Sequence, residues 1–274
     1  MQQRAPGKPE QPPEQHFSQI AEAGFNGVCL DPGITQIAES QALKPLFDRH
    51  QLGCMINAFP NKSEELKPLL DLAASLNASQ VNIIGGVMPL KPSDAASMLR
   101  SWLAIAADYP MPILMETHRN GTLNDLFYTL QVLQEVPGLR LCADLSHFVV
   151  DREFPLPISK QNAQYMDLIL ERSDSFQGRV SNNEQIQIAI NFPQHKLWLD
   201  QYLTWWRQGM SGWSARNGQN ETLRFLVELG PPPYAITDSA QQELSDRWQE
   251  SLQIKSMIEQ IWQDIAQPPR ENPI

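Results

Sequence analysis

The chain has 274 residues, 42% of them hydrophobic, and sets 21 basic against 31 acidic side chains for a formal charge of −10. That length is enough for one large core, and a barrel of this size is commonly a single domain. The acidic balance argues against a nucleic-acid partner, which needs a concentrated basic face, and no apolar stretch has the length of a membrane span or the form of a secretory signal.

Residues 1–13 are polar and proline-rich and read as a disordered tail, leaving 14–267 as the single folded domain. A helix is expected over 14–23, where Phe17, Ile20 and Ala21 share a face and Gly24 stops it. Then follow a strand at 25–30, a helix at 34–49, a strand at 54–59 and a helix at 63–76. Strand 80–84 ends in Gly85-Gly86 and leads to a helix at 93–107. Strand 112–115 breaks into Glu116-Thr-His-Arg119 and the turn signal Asn120-Gly121, with a helix at 124–135 behind it. Strand 139–143 opens a longer loop with Pro155 and Pro157, then a helix at 163–170. A strand at 176–180, an irregular polar segment, an aromatic helix at 195–208, a strand at 222–227 and a long helix at 239–265, stopped by Pro268-Pro269, complete the chain.

Short apolar strands alternating with helices predict parallel strands covered by helices. Seven strands fall one short of a (β/α)8 TIM barrel, and the first strand, before the first helix, has no match in residues 1–13. An open doubly wound sheet is the competing fold, disfavoured because no Gly-rich phosphate turn follows the first visible strand. Cys29, Cys54 and Cys142 each lie in an apolar run without metal spacing, so buried reduced thiols and a cytoplasmic setting are expected. In that setting the Asn-x-Ser/Thr triplets at Asn61, Asn77 and Asn220 carry no meaning.

Four strands end in ligand-type residues: Glu116, Asp144-Leu-Ser-His147, Gln177-Gly-Arg179 and Glu228. Burying a charge is costly unless it is paired or metal-bound, and a closed parallel sheet is what brings Glu116 and Glu228 together. One acid alone would read as a helix cap or an arginine partner; four consecutive strand ends read as one site. The oxygen-rich set suits Mn²⁺ or Mg²⁺, with Co²⁺ and Zn²⁺ as further candidates. His118 and His147 stand past strand ends as ligand or substrate contacts, whereas His16, His50 and His195 read as surface residues. Arg179 and Arg119 would hold a substrate anion or pair with the neighbouring acids. Trp198, Trp205 and Trp206 fit one helix face, packed internally or forming a homodimer interface.

From Phe17-x-x-Ile-Ala-Glu-Ala-Gly-Phe-x-Gly-Val28 to Glu228-Leu-Gly-Pro-Pro-Pro-Tyr234, the chain resembles the xylose isomerase-like TIM-barrel superfamily, in its sugar phosphate isomerase/epimerase branch. The resemblance implies Glu116 and Asp144 as metal ligands, His147 as a substrate contact, and Glu228 as a metal ligand and acid/base. It implies a divalent-metal-dependent sugar or sugar phosphate isomerase/epimerase, with Glu116 and Glu228 catalytic and proton transfer through an enediolate. Gln177 stands where the family places a metal-binding histidine before an Ala/Gly-Arg pair, so the fourth ligand is a neutral amide. The alternatives are a non-catalytic barrel serving as a binding protein and, less favoured, an apurinic endonuclease-like phosphodiesterase, whose multi-zinc cluster needs more histidine than the five present.

Overall fold

The apolar runs become seven short parallel strands: β1 (Gly27–Leu30), β2 (Gly53–Ala58), β3 (Val81–Ile83), β4 (Ile113–Glu116), β5 (Leu141–Ala143), β6 (Ser173–Gln177) and β7 (Arg224–Leu226). The structure is a computed structural model that describes residues 11–218 and 221–266. The polar tail before residue 11, Asn220 and the Pro268-Pro269 stop lie outside the described residues. Each strand pairs in parallel with the next in chain order, β1 to β7. The helices between them are α1 (Pro13–Glu22), α2 (Ile37–Gln41), α3 (Lys44–His50), α4 (Leu66–Ser75), α5 (Pro92–Ala106), α6 (Leu126–Glu135), α7 (Leu145–Asp151), α8 (Lys160–Arg172), α9 (Lys196–Arg216) and α10 (Arg247–Ala266). The seven strands form a nearly closed TIM barrel. Among the described residues no strand lies between β1 and β7.

Several elements depart from the sequence pattern for identifiable reasons. The helix expected over 34–49 is split into a 3₁₀ turn, α2 and α3, with Pro45 in the first turn of α3, where its missing N–H costs nothing. Strand β6 starts at Ser173, ahead of the apolar run, because its polar side chains are satisfied in place. The hydroxyls of Ser173 and Ser175 donate to the carbonyls of Ile169 and Arg224, at 2.8 and 3.0 Å, and Asp174 takes a two-pronged bond from Arg140 at 2.6 Å. Helix α7 replaces the start of an expected loop, and residues 239–246 precede α10 instead of belonging to it.

The core lies between the sheet and the helix ring. On α9, Trp198, Tyr202, Trp205 and Trp206 are buried, and Trp206 meets Phe225 of β7 edge-on at 5.2 Å, so this aromatic face is spent on internal packing. His195, expected at the surface, is buried, with its Nδ1 2.7 Å from the Ala189 carbonyl oxygen. Inside the barrel, an amide ladder runs from Gln80 through Asn82 to Asn57, with hydrogen bonds of 2.7 and 2.9 Å. No helix among the described residues is long and apolar enough to cross a membrane.

Candidate active site

Parallel strands deliver all their C-terminal ends to one mouth. Glu116 is the last residue of β4, Asp144 follows β5, Gln177 ends β6, and Glu228 lies two residues past β7. One carboxylate oxygen each from Glu116, Asp144 and Glu228 lies within 4.8 Å of the others. Residues up to 112 positions apart in the chain thus meet because the sheet curls, which no local pattern encodes.

The hydrogen bonds around this group are specific. Asp144 divides its carboxylate: Oδ1 caps α7 through the Ser146 N–H at 3.0 Å and hydroxyl at 2.5 Å, while Oδ2 faces the site. Arg179 donates from Nε to Asp144 Oδ2 at 3.2 Å, from Nη1 to Gln187 Oε1 at 3.3 Å, and from Nη2 to Glu228 Oε1. Tyr234 lies under its guanidinium, 4.7 Å from the ring centroid. Gln187 is fixed in turn by the Gly230 N–H at 2.7 Å and carbonyl at 2.9 Å. A Cβ at Gly230 would come within 2.8 Å of the Tyr234 ring, so only glycine lets that ring seat. Gln177 donates from Nε2 to Glu116 Oε2 at 2.7 Å, leaving its Oε1 buried without a donor, as is Glu228 Oε2.

Burial, then the nearby charges of Glu228 and Asp144, push the Glu116 carboxyl well above the usual range, against the pull of the Gln177 hydrogen bond. Burial would do the same to Asp144, but His147 and Arg179 outweigh it and hold that carboxyl below its ordinary value. Burial opposes the charge on Arg179, and Glu228 and Asp144 more than restore it. A hard cation fits this donor set: three clustered carboxylates and two buried oxygens that lack any hydrogen-bond donor.

A cavity of about 1480 Å³ opens onto the site, lined among others by Asp31, Asn57, His118, Arg179, Glu228 and Tyr234. His118 is neutral in character: burial first, then His147 beside it, lower its pKa to about 3. Its Nδ1 accepts the Asn120 N–H at 3.2 Å, which leaves the proton on Nε2. His147 is fully buried behind it, ring centroids 4.1 Å apart, with Nε2 3.4 Å from Asp144 Oδ2. Arg119 is exposed, outside the cluster.

Three residues near the site are absent from the sequence reading. Asp31 follows β1 and obeys the same rule as the other acids, a carboxylate ending an apolar strand, so Cys29-Leu-Asp31 carried the signal. The protein packed around it and then Glu228 push its carboxyl up to about 6, against hydrogen bonding to Asn57. Its exposure to the cleft lets water moderate that push. Asn57 ends the buried amide ladder and had only its place near a strand end to mark it. Gln187 sits in an irregular segment and had no local signal at all.

Neither a family model nor any curated protein matches the sequence. Solved structures match it in fold. A xylose isomerase-like TIM barrel protein from Mycobacterium smegmatis in complex with magnesium superposes with a TM-score of 0.64 at 14% identity, over 97% of this chain and 95% of that one. D-allulose 3-epimerase from Methylomonas sp. in complex with D-allulose gives 0.59 at 12% identity, over 90% of each chain. A probable 3-DHS dehydratase involved in petrobactin synthesis, from Bacillus anthracis, gives 0.56 at 13% identity, over 90% of this chain and 94% of that one. At such identities the likeness is one of fold: that of a TIM barrel.

Proposed function

We propose that this protein is a divalent-cation-dependent sugar isomerase or epimerase that moves a proton at a carbon beside a carbonyl. The observation that carries this reading is the meeting of Glu116, Asp144 and Glu228 within 4.8 Å at the mouth of a large cleft. The epimerase and the magnesium-bound barrel among its fold neighbours agree with it.

Glu116, Asp144, Glu228 and the Gln177 amide oxygen are the residues that would hold the cation. When bound, it would supply Lewis-acid polarisation of a substrate carbonyl and its adjacent hydroxyl. In this reading Glu228, which borders the cleft and is held by Arg179, takes a proton from substrate, and Glu116, buried beside it with a raised proton affinity, holds and returns one. Return to the opposite face of the same carbon gives epimerisation, and return to the neighbouring carbon gives isomerisation. His118 presents its Nε2–H to a substrate oxygen, while His147 backs its ring and pairs with Asp144. Arg179 works from beneath, on the carboxylates. Each proton-transfer group of this kind contributes about 10²–10⁴-fold in rate.

The test is proton exchange. A panel of ketoses and aldoses, free and phosphorylated, incubated in D₂O with Mn²⁺ should exchange a carbon-bound proton by NMR, and Glu228→Gln should abolish the signal. Absence of exchange from every sugar would leave a non-catalytic binding barrel in its place.

A further inference from the structure

Arg179 is clamped on every side, and the clamp has a use. Its side chain is 2% exposed, and three of its N–H groups are directed at Asp144, Gln187 and Glu228, while Tyr234 covers a face. The carboxylates it joins come from different strands, and Gln187 and Tyr234 serve it from two further segments. A guanidinium buried this firmly is a fixed charge, since arginine does not lose its proton in proteins.

We infer that Arg179 is the resident cation of the acid cluster, cancelling one of its three negative charges so that the site is matched to a divalent ion and biased against a trivalent one. The inference rests on the cation-site reading above. Charge decides it. An ion entering the cluster displaces the Glu116 proton, so Glu116, Asp144 and Glu228 stand ionised beside one guanidinium, two negative charges remain, and a divalent ion neutralises them. Without Arg179 three would remain, and attraction to an added ion grows in proportion to that ion's charge. Removing the guanidinium therefore strengthens binding of a trivalent ion more than that of a divalent one. Loosening of the structure would instead weaken both. Arg179 acts through the carboxylates and is a positioning residue.

The experiment compares Tb³⁺ affinity, read by its luminescence, with Mn²⁺ affinity, read by competition, in wild type, Arg179→Met and Arg179→Lys. Arg179→Met should raise the Tb³⁺-to-Mn²⁺ affinity ratio by about tenfold or more. Arg179→Lys keeps the charge and should keep the wild-type ratio. Arg179→Met leaves Asp144 and Glu228 without their countercharge and risks misfolding, so Glu228→Gln is measured with and without Arg179→Gln. Within that pair the variant lacking Arg179 should show the higher ratio by a similar factor. An unchanged ratio in both comparisons, with ions still bound, overturns the inference about Arg179 alone. Failure of wild type to bind either ion overturns the cation site and this inference together.

Discussion

The two walls of the cleft solve the problem of buried charge in opposite ways. On the β4–β7 wall, Glu116, Asp144 and Glu228 are held by Gln177, Ser146 and Arg179, most of them out of reach of solvent. On the β1–β2 wall, Asp31 faces the cleft, hydrogen-bonded to Asn57 and near the Glu228 charge, beside the seam where, among the described residues, no strand lies between β1 and β7. The first wall gains its order from long-range pairing and would lose much if one partner went. The second leaves its acid exposed to the cleft.

The harshest way to break this contrast is Asp144→Leu. It strips the α7 cap and leaves Arg179 short of its countercharge, so destabilisation of about 3–5 kcal/mol is expected from urea unfolding. A loss under 1 kcal/mol would mean that the wall is not the interlocked unit described. Next comes the cation. Mn²⁺ at a hundredfold over its dissociation constant should stabilise the protein by about 2.7 kcal/mol; identical melts with Mn²⁺, Mg²⁺ and chelator would remove the cation from the account. Replacing the neutral amide with imidazole in Gln177→His should tighten Mn²⁺ binding, by on the order of tenfold, as read by calorimetry. Weaker binding would show that the Gln177 bond to Glu116 matters more than ligand strength.

The smallest effect is expected on the open wall. Asp31 has a folded pKa of about 6 against an ordinary 3.8, so it favours the folded state below 3.8, and that contribution is lost as pH rises through 6. Asp31→Asn should therefore flatten stability between pH 4 and 7, with the variant gaining relative to wild type at the upper end. Equal pH slopes for the two proteins would show that cleft water screens Asp31 completely.

Hydrophobic periodicity and strand-end chemistry determined most of the frame. The runs around Val28, Ile56, Val81, Leu114 and Leu141 could only be short buried strands between helices, and Glu116, Asp144, Gln177 and Glu228 stood out because charges and amides seldom end such runs without partners. That information is local, carried by residues a few positions apart. β6 begins ahead of its apolar run because its serines satisfy themselves through the carbonyls of Ile169 and Arg224, and the second of those bonds exists only once β7 has docked. Which groups pair was likewise beyond local pattern. Arg179 reaches Asp144 across 35 residues and Glu228 across 49, and Gln187 reaches Gly230 across 43. The curvature of the parallel sheet brings these residues together, and burial and the charges it gathers then raise the Glu116 carboxyl and lower that of Asp144.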